Sequence, residues 1–427
     1  GFDESDILNG GSGDDTFIIG SQSEVQTSSG SVGETITGGT NSSTGDTLQL
    51  GVASSGQTFT FSSNSNGSVG LSGIENLNFA EASTTFVVNS SFFNGLTNIT
   101  TESGATSQTI TGAFGSLSLS AVSSVSSNVT DLKAVQSGSS GVSITDANDS
   151  TGRTLHGSSF ADTLVGNGGA DTLVGGGAAD SLQGGDGDDI FRLDANTDLV
   201  SGESVNGGSG SDTLKAGSTS LTTIDLTAAT FSNMEFIDLD SSIGSGLRQT
   251  IDISNSTSFT APIVQNFAVG SASTTDIFDW NSTLVAGNGS TTISTSSDAV
   301  LQELATIGTD LTLISSVNTT GAIEFNFSTA KIGIDFSSQS ASVIVSNVEG
   351  VMNTSSALVS GGVLSAGAPN TDMLLVFYES GTSGGSTSDA VIMRYQEGAS
   401  SEASFSGELS VVGILESVTD ITDTNLA

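Results

Sequence analysis

The chain of 427 residues contains no cysteine, two prolines, one histidine and one tryptophan. Without cysteine it can form neither disulfides nor a thiolate-ligated metal site. Its single histidine, His156, excludes the zinc motif H-E-x-x-H, which needs two. No uninterrupted apolar run of about 18 residues occurs, so the sequence predicts no helix that spans a membrane.

Positive charge is also scarce, since 7 basic residues stand against 46 acidic ones and the formal net charge is −39. Basic residues so few and scattered argue against nucleic acid and anionic membranes as partners. A charge of this size repels itself unless counterions bind. Solubility explains part of the acidic excess. Bound divalent cations would neutralise the repulsion that remains.

What the chain does contain is a repeat of nine residues. Residues 157–192 divide into the consecutive units GSSFADTLV, GNGGADTLV, GGGAADSLQ and GGDGDDIFR. We refer to this segment as the nonapeptide array. In every unit the sixth residue is aspartate and the eighth is a large apolar side chain. Ordinary turns need no such phase, so they do not account for the array. The four aspartates are Asp162, Asp171, Asp180 and Asp189.

The spacing indicates a site for a hard cation. Glycines early in each unit allow positive φ and sharp turns, so that carbonyl oxygens and the aspartate carboxylate converge. Ca²⁺ takes roughly six to eight oxygen ligands, more than one short loop supplies, so loops must stack and share ions. The last three residues of a unit, such as Thr172-Leu173-Val174, predict a short strand with its apolar side chain inward. Further candidate ligands in the array are Asp186 and the loop residues Gly169, Gly176, Gly185 and Gly187.

The unit G-G-x-G-x-D-x-U-x resembles the calcium-binding nonapeptide of RTX proteins. The resemblance implies a parallel β-roll in which two units form one turn. It therefore implies that Asp162 lies above Asp180 on one edge of the roll, and Asp171 above Asp189 on the other.

Weaker copies of the unit occur outside the array. GGSGDDTFI spans residues 10–18 and GGSGSDTLK spans residues 207–215, and a degenerate unit precedes each of them. A looser copy spans residues 38–49, where three extra residues precede Asp46. For these copies ordinary turns remain an equal alternative. In the copies at residues 10–18 and 207–215 the sixth positions are Asp15 and Asp212, and in the degenerate units before them they are Asp6 and Glu203. We predict Asp6, Asp15 and Asp212 as metal ligands.

The composition and pattern of the remaining chain predict an all-β protein, a parallel β-roll or β-solenoid with a C-terminal β-domain. Short β-branched apolar runs favour strands, and turn residues separate them too closely for βαβ units. Residues 58–149 are predicted to form a parallel β-solenoid, with an antiparallel sandwich as the alternative. The one predicted helix lies around residues 298–307, where four apolar side chains have helical spacing.

A motif of an apolar residue, glutamate and alternating apolar residues recurs along the chain. It is present at residues 74–79 and 234–239, each time after GDTL or SDTL, and a weaker copy begins at Val348. Repeated acidic β-modules of this kind indicate architecture and not an active site.

The C-terminal segment contains the apolar runs MLLVFYESG, DAVIMRYQEG and ASFSGELSVVGILESV, which predict two or three strands joined by hairpin loops. It resembles the terminal module of proteins exported by type I secretion, with an export signal at residues 418–423. A small β-domain that closes the solenoid is the alternative. Because Gly1 falls inside a repeat, we expect a processing point there or missing upstream residues.

Five segments are predicted along the chain. They are residues 1–57 (RTX-like start and linking strands), 58–149 (strand stack), 150–217 (β-roll), 218–370 (second β-rich module) and 371–427 (C-terminal module).

Catalysis is not predicted. The G-x-S-x-G match at residues 381–385 lacks the strand-turn-helix context of a nucleophile elbow. Composition and resemblance together predict a secreted, calcium-dependent structural protein, a surface-layer or filament subunit that associates with itself on the bacterial exterior. An adhesin or biofilm-matrix protein that binds cell-surface glycans is one alternative, although few aromatic residues support it. The export and folding part of a secreted hydrolase is the other.

Overall fold

The structure is a computed structural model, and the chain in it divides into two compact units. The first comprises Gly1–Leu193 and Thr197–Thr213, and the second comprises Asp194–Asn196 and Leu214–Ala427. The structure describes residues 7–22, 35–40, 44–51, 54–61, 71–113, 116–134, 139–217, 221–239, 250–252, 262–267, 277–279, 284–285, 292–293, 301–304, 322–325, 336, 339–354, 372–378, 389–396, 407, 409–416 and 418.

The first unit consists of short strands with one 3₁₀ helix, Ser90–Gly95. Its strands are β1 (Ile7–Ser12), β2 (Thr16–Ile19), β3 (Thr35–Thr40), β4 (Thr47–Leu50), β5 (Thr58–Thr60), β6 (Leu71–Ser72), β7 (Asn76–Phe79), β8 (Thr85–Asn89), β9 (Asn98–Thr101), β10 (Gln108–Ala113), β11 (Ser116–Ser118), β12 (Ser124–Val125), β13 (Val129–Ala134), β14 (Ser143–Thr145), β15 (Thr154–His156), β16 (Thr163–Gly168), β17 (Thr172–Val174), β18 (Ser181–Asp186), β19 (Ile190–Leu193) and β20 (Ser204–Ser209).

Within the described part of the first unit every strand pairing is parallel, so the strands form the stacked faces of a solenoid. One face runs β5-β8-β10-β13-β15-β17-β19, a second runs β11-β14-β16-β18-β20, and the earlier turns add β2-β4-β7-β9-β12 and β1-β3-β6. The predicted parallel β-solenoid is confirmed, and the antiparallel sandwich for residues 58–149 is wrong.

Register gives the length of each turn. Thr154 pairs with Thr172, which pairs with Ile190, so one turn of the array takes two of the nine-residue units. Turns before the array are longer, since Thr47 pairs with Asn76.

The core lies between the stacked faces and is built from ladders of like side chains. Leu155, Leu173 and Phe191 are stacked and almost fully buried on one face, because inward and outward positions alternate along each short strand. The longer turns before the array contain phenylalanines in their core, whose ring centroids lie between 5.6 and 6.5 Å apart in edge-to-face contacts. The rings in this cluster are Phe61, Phe86, Phe92 and Phe93.

The second unit is also dominated by strands, and it ends in the predicted antiparallel module. Its last three strands, Asp372–Tyr378, Ala390–Gln396 and Leu409–Leu415, pair antiparallel in the order of the sequence. Its elements, with β21 starting at the boundary, are β21 (Thr213–Ala216), β22 (Thr223–Asp225), β23 (Thr230–Ser232), β24 (Phe236–Asp238), β25 (Thr250–Asp252), β26 (Ile263–Gln265), β27 (Ile277–Asp279), β28 (Leu284–Val285), β29 (Thr292–Ile293), β30 (Leu301–Leu304), β31 (Ala322–Phe325), α1 (Ala341–Thr354), β32 (Asp372–Tyr378), β33 (Ala390–Gln396) and β34 (Leu409–Leu415).

The helix of this unit is not where the sequence predicted it. Leu301–Leu304 form strand β30, paired in parallel with β31, so the helix prediction for residues 298–307 is wrong. Helix α1 instead covers the third glutamate motif at Val348, where Ile344 and Val348 bury one helical face. In the part of the chain that the structure describes, no helix is long and apolar enough to cross a bilayer.

Candidate calcium-binding columns

The array aspartates are stacked in two columns, one on each edge of the roll. The backbone N–H of Asp162 donates to Oδ1 of Asp180 at 2.8 Å, and that of Asp171 donates to Oδ1 of Asp189 at 2.8 Å. The implied stacking of these residues is confirmed. Each carboxylate therefore clamps the turn before it through one oxygen.

Both columns continue past the array into the following degenerate units. The N–H of Asp180 donates to Oε2 of Glu203 at 3.1 Å, and the N–H of Asp189 donates to Oδ1 of Asp212 at 2.9 Å. Glu203, which is 2 % exposed, thus performs the same backbone contact as an aspartate. Ser181 pairs with Ser204, so this turn is longer than those of the array, and the loop absorbs the extra residues.

The second oxygen of these carboxylates is the atom that requires an ion. Oδ2 of Asp171, Asp180 and Asp189 is buried and has no hydrogen-bond partner. A buried carboxylate oxygen without a donor is strongly destabilising unless a cation neutralises it. The residues therefore fit a cation bound along each column.

The electrostatics of the columns support the same conclusion. Burial, together with neighbouring carboxylates, raises the pKa of Asp171 to about 8 and that of Asp180 to about 7. The pKa of Asp189 rises to about 6 and that of Glu203 to about 8 for the same reasons. Without a cation, these groups hold protons well above their ordinary range.

The loop glycines are required by backbone geometry. Gly169, Gly176, Gly185 and Gly187 have φ values of 104°, 98°, 122° and 129°. L-residues rarely adopt these conformations, and here they turn the backbone sharply at the edge of each turn. The predicted positive φ is confirmed at all four positions.

The first glycine of each unit serves a purpose that the sequence did not indicate. A Cβ at Gly166, Gly175 or Gly184 would collide with Oδ2 of the aspartate at the sixth position of its own unit. These glycines leave room for the carboxylate oxygen that has no hydrogen-bond partner. The recurrence of glycine at position one is the signal that would have revealed the contact.

The N-terminal turns repeat this arrangement. The N–H of Asp15 donates to Oδ1 of Asp46 at 2.7 Å, and the N–H of Asp46 donates to Oε2 of Glu75 at 3.0 Å. Oδ2 of Asp15 and Asp46 is buried without a hydrogen-bond partner, and a Cβ at Gly10 or Gly38 would collide with it. Asp6 lies outside the described residues.

Asp46 and Glu75 were not among the predicted ligands. The signals were present, because Asp46 belongs to the looser copy at residues 38–49 and Glu75 belongs to the recurring glutamate motif. At residues 74–79 this motif is a further form of the sixth position, with Glu75 immediately before strand β7.

Asp186 and Asp162 differ from the other predicted ligands. Asp186 is an exposed residue at the end of β18, outside both columns, and its carbonyl accepts the N–H of Gly169 at 2.8 Å. Both oxygens of Asp162 accept hydrogen bonds, Oδ1 from the Val142 N–H and the Ser158 hydroxyl and Oδ2 from the Ser158 N–H.

Carbonyl oxygens must supply much of any coordination shell here. Across the described residues no three acidic or histidine side chains converge on one point. Stacked loops bring carbonyls together instead, as where a Cβ at Gly187 would collide with the Gly169 oxygen one turn away. Calcium accepts such mixed sets of carboxylate and carbonyl oxygens.

Comparison with known families identifies the repeat. The family of the RTX calcium-binding nonapeptide repeat matches the chain in four copies, at residues 1–20, 156–191, 165–200 and 201–219. No curated protein and no solved structure matches the chain. The matched segments contain both columns of the array together with Asp15. They are RTX calcium-binding repeats on a parallel β-roll, and Ca²⁺ is the ion that they bind.

Proposed function

We propose that this chain is a secreted, calcium-dependent structural protein that self-assembles at the bacterial cell surface as a surface-layer or filament subunit. The observation that carries the proposal is the pair of columns of buried carboxylates on the two edges of a parallel β-roll. Calcium in these columns rigidifies the stack of turns. RTX repeats are characteristic of secreted proteins, and the C-terminal antiparallel module fits the predicted export by type I secretion.

Excess acidic charge supports self-assembly through calcium. Of the 46 acidic residues, only a minority lie in the columns. Exposed carboxylates such as that of Asp186 remain on the roll and would repel a second copy at neutral pH. Divalent ions that bridge carboxylates on neighbouring copies would turn this repulsion into attraction. In this proposal the chain has no catalytic role.

The experiment is a calcium titration of the protein at high concentration, followed by light scattering and electron microscopy. We expect monomers in chelator, ordered sheets or filaments in millimolar Ca²⁺, and their dissolution when chelator is restored. Mg²⁺ at the same concentration should produce much weaker order, because it releases its waters reluctantly. A protein that remains monomeric throughout would favour the adhesin or the secreted-hydrolase alternative.

A further inference from the structure

A cationic side chain holds the first position of one column. The N–H of Arg153 donates to Oδ1 of Asp171 at 2.7 Å, as the N–H of Asp171 donates to Asp189. Its carbonyl accepts the N–H of Thr172 at 2.8 Å, as that of Asp171 accepts the N–H of Ile190 at 2.8 Å. Arg153 is thus in register with Asp171, one turn earlier, where a further aspartate would continue the column.

The guanidinium of Arg153 is surrounded by oxygens. Nε donates to the Val129 carbonyl at 3.1 Å, and Nη1 lies 3.1 and 3.2 Å from the two carboxylate oxygens of Asp146. Nη1 and Nη2 each donate to one oxygen of Asp149 at 3.1 Å, a bidentate pair, and Nη1 lies 3.4 Å from the Thr151 carbonyl. Two carboxylates and two carbonyls are the ligand types that Ca²⁺ selects.

This cluster is buried and directly joined to the array. The side chains of Arg153 and Asp146 are 0 % exposed, and that of Asp149 is 29 % exposed. The loop that carries Asp149 and Thr151 lies against the next loop of the roll, because a Cβ at Gly168 would be 2.6 Å from the Asp149 carbonyl oxygen. The positive charge therefore lies one turn before the first orphaned carboxylate oxygen of this column.

The other column also starts without an orphaned oxygen. Val142 holds its first position, and Ser158 donates to Asp162 through both its N–H and its hydroxyl. Asp162 is therefore satisfied by the chain, unlike Asp171, Asp180 and Asp189. At the first turn of the roll, protein donors on both edges therefore contact the buried carboxylates, which in the later turns lack a donor at one oxygen.

We propose that the guanidinium of Arg153 takes the place of a calcium ion at the first turn of the roll, so that β13 to β15 fold without calcium. This ordered turn is the template on which the calcium-dependent turns β16 to β20 stack when the ion arrives. The inference rests on calcium binding by the repeats and is independent of self-assembly.

Hydrogen exchange of the full-length protein in chelator tests the template. We expect amides of β13 to β15 to exchange at least about a hundredfold more slowly than those of β16 to β20. Equal, fast exchange in both groups of strands would overturn the proposal without any variant being made. Protection of both groups in millimolar Ca²⁺ shows that the preparation is folded.

Variants of Arg153 separate an ion substitute from an ordinary ion pair. In chelator, Arg153→Gln should lower the protection of β13 to β15 by about a hundredfold, and Ca²⁺ should restore it. Arg153→Asp, which places the aspartate of the repeat at this position, should bind about one more Ca²⁺ per chain than the wild type. Arg153→Lys keeps the charge and should gain none.

A matched control is Lys215→Gln, which removes an ion pair to Asp238 outside the cluster, at 2.6 Å and partly exposed. It should change neither the protection of β13 to β15 nor the calcium stoichiometry. An Arg153→Asp protein with wild-type stoichiometry, or one that Ca²⁺ does not fold, would refute the substitution of an ion by Arg153.

Discussion

Asp171, Asp180 and Asp189 each use their two carboxylate oxygens differently. One oxygen accepts the N–H of the turn before it, and the other is buried without a donor in Asp171, Asp180 and Asp189. The first oxygen fixes the register of the stack, whereas the second requires an ion. An amide in place of the carboxylate would perform the first task and fail at the second.

This division predicts the effect of Asp180→Asn. The variant keeps an acceptor for the N–H of Asp162 but loses the charge, so calcium affinity should fall by about tenfold or more. Isothermal titration calorimetry with Ca²⁺ measures this. Ser181→Ala, an exposed neighbour on the same turn, should leave affinity and stoichiometry unchanged. Equal affinities for the two variants would show that Asp180 is not a ligand.

The raised pKa values predict an unusual pH dependence of the calcium-free protein. Burial raises the pKa of Asp171 to about 8 and of Asp180 to about 7 from the ordinary value of 3.8. The folded state therefore binds protons that the unfolded state releases, and its stability should rise as the pH falls from about 8 towards 4. Over the same window calcium affinity should fall, because the ion must displace these protons.

Far-UV circular dichroism of the calcium-free protein at several pH values measures this dependence. The β-structure should increase on acidification, and the increase should be smaller in Asp171→Asn, which has no proton to bind there. Because acidification also lowers the overall net charge, the difference between wild type and variant isolates the column. A β-content that falls steadily below pH 8 would contradict the assignment of these pKa values.

The turns of the roll depend on one backbone conformation at the fourth position of the last three units of the array. Gly169 and Gly187 have positive φ there, and Ala178 adopts φ 77° at the equivalent position of the third unit. Alanine in this region is strained by about 1–2 kcal/mol because its Cβ approaches the following carbonyl. The third unit therefore folds at some cost in stability.

Two glycine exchanges at this position should have opposite effects. Ala178→Gly should stabilise the calcium-loaded protein by up to about 1 kcal/mol. Gly187→Ala should destabilise it by about 1–3 kcal/mol, because φ is 129° and the Cβ would collide with the Gly169 oxygen. Thermal unfolding in Ca²⁺ measures both effects. Ala179→Gly, a neighbour without positive φ, should destabilise slightly, and stabilisation there would show that strain is not the cause.

Periodic elements were predictable from the sequence, and isolated ones were not. The nine-residue phase predicted the acidic loop and the inward apolar side chain of each unit, whereas the stacking of the aspartates in two columns was implied by the resemblance to RTX repeats. Asp46 and Glu75 were not predicted as ligands. An insertion shifts Asp46 out of the nine-residue phase, and Glu75 replaces the aspartate by a longer side chain, although both keep the backbone contact. Such contacts depend on stacking between distant turns, which spacing alone does not reveal.

Helix α1 shows the limit of local pattern. Its sequence is rich in valine and contains Gly350, both of which favour strands or turns over a helix. Burial of Ile344 and Val348 against the rest of the second unit outweighs that propensity. At residues 301–304 the reverse happened, because pairing with β31 overrides a helical spacing of apolar residues.

The charge of the entire chain acts against its own compact state. A net charge of −39 with stacked carboxylates in each column makes the calcium-free roll repel itself. Dissolved salt and bound calcium reduce this repulsion in different ways. Salt screens exposed charges over a Debye length of about 8 Å at physiological ionic strength, whereas a bound ion neutralises buried oxygens that salt does not reach.

This difference predicts how the full-length protein responds to Ca²⁺ and to NaCl. Millimolar Ca²⁺ added to the chelated protein should produce a large gain of β-structure by far-UV circular dichroism, because ion binding and folding of the columns are coupled. NaCl at about 1 M shortens the Debye length to about 3 Å and should recover only a small part of that gain. Asp171→Asn combined with Asp180→Asn should respond less to Ca²⁺ and equally to NaCl. If NaCl alone restored the full spectrum, general screening of the acidic chain, and not ion binding in the columns, would control folding.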